Sequence, residues 1–237
     1  MIIKRHTKSR SGSTLIFIIC VVATLVFSCQ PVQKQDEPQP PFWQDIQAFK
    51  QLDGVSPPPA NAILFIGSSS FTLWTDVQDY FPRHKIINRG FGSSTLADQI
   101  RYVNDIVIPY KPRQVVIYCG ENDIAFSDTV NAAIVFDRFK TLFGMIRKEY
   151  DHLPIIYISM KPSPSRRVLI PEMREANRLI REFIELEPNA VYIDVHSQML
   201  DASGGPRSDI FIDDSLHLNA KGYALWQKAI EPHLLNE

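Results

Sequence analysis

Four short segments carry side chains whose types and spacing could do chemistry together. "GSSS", Gly67–Ser70, sets three hydroxyls directly after a short apolar run. A serine hydroxyl is a poor nucleophile until a base removes its proton, and that base works best when a third group orients it. "DDSLHLNAKGY", Asp213–Tyr223, puts Asp214 three residues before His217, a base and an orienter in one loop, with Asp213 as a second candidate orienter. Between them, "NRGFGSS" (Asn88–Ser94) and "CGEND" (Cys119–Asp123) couple glycine to hydroxyl and amide side chains. Turns and helix caps also favour Gly, Asn and Ser, so no single segment would carry weight alone. His6, His84, His152, His196 and His233 lack comparable company, and only His196, just past a strand end, rivals His217 as a base.

These segments need a frame that brings them to one rim. Short continuous runs rich in Val, Ile, Phe and Tyr predict strands at 63–66, 85–88, 114–118, 154–159 and 190–194, each covered on both faces. Apolar residues at steps of three and four predict helices over 135–150, 169–186 and 220–235, with a shorter one at 42–52 ended by the prolines of "GVSPPPAN". The intervening stretches are long enough for crossover helices. Alternating β and α segments imply right-handed crossovers and one three-layer α/β/α sandwich with a mainly parallel five-stranded sheet. Strand order stays open. In such sheets ligands bind beyond the carboxyl ends of the strands, which is where "GSSS", "NRGFGSS" and "CGEND" fall.

The first residues are set apart from that domain. Lys4, Arg5, Lys8 and Arg10 precede an apolar run, 15–27, which suits a signal peptide better than a spanning helix, for which ~20 residues are needed. An uncleaved anchor helix is the alternative. The run ends at "VFSC", a small residue then Cys29, similar to the lipobox of bacterial lipoproteins, in which the Cys is lipidated after cleavage. The expected organisation is a leader at 1–28, a Pro- and Gln-rich tether at 29–41 and the domain at 42–237. Cleavage removes four of the 25 basic residues and none of the 26 acidic ones, a mature balance of −5. Cys119 is then the one remaining thiol that carries no lipid, so no internal disulfide can form. No Lys/Arg cluster interleaved with aromatics suggests nucleic acid as a partner.

The four chemical segments, in this order and spacing, resemble the SGNH hydrolases (the GDSL esterase and lipase superfamily), with a likeness to lipoprotein members and to acetylhydrolases acting on platelet-activating factor. "GSSSF", "NRGFGSS", "GEND" and "DSLH" match its four motifs from about residue 62 to 235. The resemblance implies a flavodoxin-like fold, a serine esterase activity and no cofactor or metal. Carried over residue by residue, it makes Ser69 the nucleophile, His217 the general base and Asp214 its orienter. It assigns the oxyanion to the N–H of Ser69, the N–H of Ser93 and the side-chain amide of Asn122. Ser93 stands where the family has glycine, which leaves Gly92 as an alternative donor. Ser68 replaces the Asp of G-D-S, and Ser70 is a turn or helix-start residue. Phe71 stands where G-x-S-x-G would need glycine, which disfavours an α/β-hydrolase elbow.

A short acyl ester, acetyl above all, on a carbohydrate or lipid is the expected substrate, because no long apolar insertion forms an obvious lid. "KPSPSRR", Lys161–Arg167, either flanks the site or is an exposed loop. An acyltransferase using the same residues and a non-catalytic glycan-binding relative are the other classes. The expected location is a bacterial envelope, tethered to a membrane by lipid at Cys29.

Overall fold

A computed structural model of the protein describes residues 38–236. The expected leader, Cys29 and most of the tether lie outside the described residues.

Helix α1 (Trp43–Val55) stops at Ser56, before Pro57–Pro59, where a helix can no longer continue. The chain then alternates: β1 (Ile63–Gly67), α2 (Ser69–Thr72), α3 (Val77–Tyr80), β2 (Ile86–Gly90), α4 (Leu96–Ile106), β3 (Gln114–Tyr118), α5 (Glu121–Ala125), α6 (Ala132–Glu149), β4 (Ile155–Ile158), α7 (Ile170–Ile184), β5 (Ala190–Ile193) and α8 (Ala220–Ile230). All five strands are parallel, in the order β2-β1-β3-β4-β5. The chain leaves β1 toward β2 on one side and returns to β3 on the other, so the topological switch lies at β1. A crevice opens outside the strand ends at such a point.

Side chains of a strand alternate between faces, and here each face has its own core. Leu64 and Ile66 pack with Ile46 of α1, Val103 of α4, Phe139 of α6 and Met173 of α7. Ile63 and Phe65 pack with Phe71 of α2, Val77 of α3 and Tyr223 and Trp226 of α8. The sandwich is therefore three layers deep.

The second core couples α2 and the segment just after it to α8. Trp74 stacks on Tyr223 at 4.7 Å between ring centroids, and Trp226 meets Tyr118 at 4.6 Å. The Tyr223 hydroxyl donates to Ser70 O at 3.0 Å, tying α8 directly to α2.

The expected strands and helices appear with small shifts at their ends. The last helix closes at Ile230 and passes into a 3-10 turn, Glu231–His233, because Pro232 cannot extend the α-helical ladder. Helix α4 lies in a crossover stretch that apolar spacing did not delimit; Thr95 caps it reciprocally with Asp98, whose carboxylate accepts from Thr95 N at 3.0 Å.

Candidate active site

Ser69 opens α2, one residue past the turn that follows β1. That turn is built on a backbone approach only glycine permits. Gly67 has φ 146°, and a Cβ there would lie 1.9 Å from Tyr118 O on the neighbouring strand. The next amide, Ser68 N, donates to the same Tyr118 O at 3.1 Å. Ser68 and Ser70 are thereby turned inward, 2% and 1% exposed, while Ser69 is half-buried and faces the rim.

His217 arrives from the other end of the chain on a loop closed by its own backbone. Phe211 and Leu218 form an antiparallel bridge, and Ile212 N donates to His217 O at 2.9 Å. Asn219 holds the loop to α8: its Oδ1 accepts from Lys221 N and Gly222 N, and its Nδ2 donates to Asp209 O and Phe211 O. Gly222 packs so closely that a Cβ would lie 2.5 Å from Ile210 O.

This scaffolding brings Ser69, His217 and Asp214 into one hydrogen-bonded chain. Ser69 Oγ lies 2.9 Å from His217 Nε2, and His217 Nδ1 lies 2.6 Å from Asp214 Oδ2. The other carboxylate oxygen, Oδ1, accepts from Leu216 N and His217 N, both at 2.9 Å. A carboxylate can only accept, so Nδ1 carries the proton and Nε2 is left to accept from the serine hydroxyl. Asp214, rather than Asp213, is the imidazole's partner, and Ser215 next to it takes φ 57° to close the turn.

Asn122 sits on α5 at the end of the adjacent strand β3, where it is 3% exposed. Its Nδ2 donates to Ser94 O at 3.0 Å. Ser94 in turn anchors the loop after β2, its Oγ donating to Phe91 O at 2.8 Å and accepting from Gln99 Nε2 at 2.9 Å. Ser93 occupies that loop in the left-handed region, φ 64°, so the conformation that favours glycine falls on Ser93 and not on Gly92. The Asn88 amide, within β2, donates to Phe71 O at 2.7 Å and so links this loop's strand to α2.

Residues 65–225 match the GDSL-like Lipase/Acylhydrolase family. The chain belongs to that family. No curated protein matches the sequence. Among solved structures, the chain is similar to a protein of Bacteroides fragilis proposed as an acylhydrolase (TM-score 0.71, 20% identity, covering 83% of this chain and 97% of that one). It is also similar to a GDSL-like lipase of Bacteroides thetaiotaomicron (TM-score 0.67, 18% identity, covering 79% and 96%). A third is an acetyl xylan esterase of Geobacillus stearothermophilus (TM-score 0.59, 15% identity, covering 76% and 99%). These likenesses are to the three-layer fold of the GDSL acylhydrolases.

Next to the Ser–His–Asp chain, this family member carries a charged cluster that motif reading did not anticipate. Glu121, the second residue of "GEND", is 4% exposed and accepts from Lys161 Nζ at 2.8 and 3.0 Å, from Arg166 Nη1 at 2.7 Å and from the Tyr118 hydroxyl. Burial pushes the Glu121 carboxyl up, but Lys161 and Arg166 outweigh it and hold the group below the usual carboxylate range. Burial also lowers the Lys161 ammonium and drives the Tyr118 phenol well above its ordinary value. "KPSPSRR" therefore flanks the site, with Lys161 and Ser163 buried rather than exposed. The neighbouring Asp123 carboxylate accepts from Leu96 N at 2.8 Å and Arg138 Nη1 at 2.6 Å, joining α5 to the start of α4. His196, the rival base, is buried and turned aside, its Nδ1 3.0 Å from Met160 O. Among the described residues no group of three or more His, Cys, Asp or Glu converges to hold a metal ion.

Desolvation would raise the Asp214 carboxyl, but the bonds from the His217 backbone and ring and from Leu216 N bring it down to about 2. A folded-state value below the ordinary Asp value of about 3.9 means that the ionised form persists as pH falls. The bonds that Asp214 makes are thus retained from neutrality down to acidity near that value and are lost only below it. A ¹³C-detected carboxyl titration is expected to give Asp214 a midpoint near 2. In His217→Ala the midpoint should rise only part of the way, because the two backbone donors remain. An Asp214 midpoint at or above the ordinary value in the wild type would contradict the geometry.

Proposed function

We propose that the chain is a serine esterase acting on short acyl esters, acetyl esters of carbohydrate above all. The observation that carries this is the hydrogen-bonded chain from Ser69 through His217 to Asp214 at the rim of a GDSL-family sheet. An activated serine has no use in binding alone.

Ser69 Oγ attacks the ester carbonyl carbon as its proton passes to His217 Nε2. The carbonyl electron pair becomes an oxyanion, received by the N–H groups of Ser69 and Ser93 and the Asn122 amide. Removing one such donor typically costs ~3–4 kcal/mol of transition-state stabilisation. Collapse of the tetrahedral species breaks the bond to the alcohol oxygen, which leaves with the proton from His217. Water then attacks the acyl-Ser69 ester, His217 takes its proton, and the acid departs with Ser69 restored. Asp214 keeps the imidazole in the tautomer this sequence needs and stabilises the imidazolium. An acetyl xylan esterase among the similar structures supports a carbohydrate ester, whereas a GDSL-like lipase among them fits a lipid ester, and the acyl-length series below separates the two. The "VFSC" end of the apolar run supports a lipid anchor at Cys29 and a place in a bacterial envelope.

One preparation tests both parts. Membrane-extracted full-length protein, treated with a fluorophosphonate and mapped by peptide mass spectrometry, is expected to carry the adduct on Ser69 and a lipidated N-terminal Cys29. Labelling at another serine would overturn the nucleophile, and retention of residues 1–28 would overturn the anchor. With p-nitrophenyl esters, kcat/KM is expected to fall from acetyl to octanoyl; the reverse trend would favour a lipid substrate.

A further inference from the structure

Arg166 lies in the 3-10 segment after β4, 44 residues from the amide it touches. Its guanidinium is forked between two neighbours on α5. One arm, Nη1, donates to Glu121 Oε1 at 2.7 Å; the other, Nη2, donates to Asn122 Oδ1 at 2.8 Å. Glu121 already has a buried cation in Lys161, so Arg166 is a second positive charge on one carboxylate. Its side chain is only 12% exposed, and burying a surplus charge is costly unless each of its bonds is used.

The use follows from what an amide can do. Arg166 can only donate, so the Asn122 oxygen must face it. Ser94 O can only accept, so the Asn122 nitrogen must face that carbonyl. The two contacts fix the amide's orientation and leave the second N–H of Nδ2 outside both. A cation on Oδ1 also draws electron density from the amide and makes that N–H a stronger donor. Without Arg166, the Ser94 bond alone would hold the amide, leaving its plane free to swing about that one contact and its second N–H less polarised.

We propose that Arg166 is a positioning residue, held by the Glu121–Lys161 pair, that orients and polarises the Asn122 amide toward the substrate oxyanion. This rests on the reading of Asn122 as an oxyanion donor in a Ser69 esterase. A lysine cannot replace it, because one ammonium lacks the planar fork that spans both partners.

The test is a double-mutant cycle on p-nitrophenyl acetate hydrolysis by the full-length protein. Arg166→Met is expected to lower kcat about 10- to 100-fold, the usual scale for losing the group that orients a first-contact residue, with KM little changed. Arg166→Lys, which keeps a cation beside Glu121, should fall similarly with an unchanged melting temperature. In the Asn122→Ala background, Arg166→Met should cost no further activity, because its effect runs through the missing amide. Equal losses in both backgrounds, or a rise in KM with kcat intact, would overturn the proposal. A second readout does not need turnover. The Asn122 side-chain NH₂ pair in a ¹⁵N–¹H spectrum, assigned by its absence in Asn122→Ala, should shift in Arg166→Met or, if that variant is unfolded, in Arg166→Lys. An unmoved pair would overturn the positioning role. A shifted pair in a protein with no esterase activity would sink the esterase reading and leave the amide's dependence on Arg166 standing.

Discussion

Ser69→Ala is expected to reduce kcat for p-nitrophenyl acetate by roughly 10⁶-fold, with a melting temperature within ~2 °C of the wild type. The magnitude is that of removing the attacking group from a serine–histidine unit, about 8 kcal/mol of barrier. The oxyanion donors and the binding surface would remain, so a residual rate above that of water should survive. The stability expectation comes from the half-buried hydroxyl, whose His217 bond is matched by water when it is lost. Its two neighbours make the comparison informative. Ser68 and Ser70 are 2% and 1% exposed, and it is the Ser69 hydroxyl, not either of theirs, that lies 2.9 Å from His217 Nε2. Ser70 Oγ finds no partner among the described residues, which makes it a buried polar group left unsatisfied. Ser70→Ala should therefore be neutral or stabilising by up to ~1 kcal/mol, with near-normal turnover. Loss of turnover in Ser70→Ala but not in Ser69→Ala would place the nucleophile one residue away and undo the mechanism.

That contrast between three consecutive serines marks where sequence reading succeeds and where it stops. Strands β1, β3 and β4 are legible because burial on both faces demands nearly unbroken apolar runs such as "ILFI" and "QVVIY". The loops after β1, β2 and β3 and the loop before α8 are legible because their chemistry is local, a few residues each. What was not legible is whatever depends on partners far along the chain. The Glu121–Lys161 pair joins residues 40 apart, and the Arg166–Asn122 contact joins residues 44 apart. No local spacing encodes either, so "KPSPSRR" read equally well as an exposed loop. Backbone conformation is similarly hidden. Ser93 stands where the family has glycine, and it adopts φ 64°, a left-handed conformation that strains a side chain. The surrounding anchors at Ser94, Gln99 and Asn122 over-determine the loop and can sustain a strain of about 1–2 kcal/mol. Strand order was open in the sequence for the same reason: register and neighbours are set by packing across the sheet.

Gly67→Ala should be the most damaging single methyl in the domain. Two independent costs meet at this position. Its φ of 146° lies where L side chains are rarely found, and the added Cβ would stand 1.9 Å from Tyr118 O. The clashing atom belongs to the backbone of the central strand β3, so no rotamer change can relieve it. Either β1 separates from β3, breaking the Ser68 N bond to Tyr118 O, or the turn itself is redrawn. Both outcomes displace Ser69 from His217 as well as loosening the sheet. A loss of about 4 kcal/mol or more is expected, the range reached by strain at a position of special φ, and for a domain of this size that lowers the melting temperature by ~10 °C or more. Turnover should fall along with stability, which separates this variant from Ser69→Ala. Gly92→Ala is the matching control: a Cβ there meets nothing within 4 Å, so its melting temperature should stay within ~2 °C of the wild type. If thermal unfolding by circular dichroism showed Gly67→Ala as stable as Gly92→Ala, the close β1–β3 approach would not exist. The turn that sets Ser69 at the rim would then need a different physical explanation.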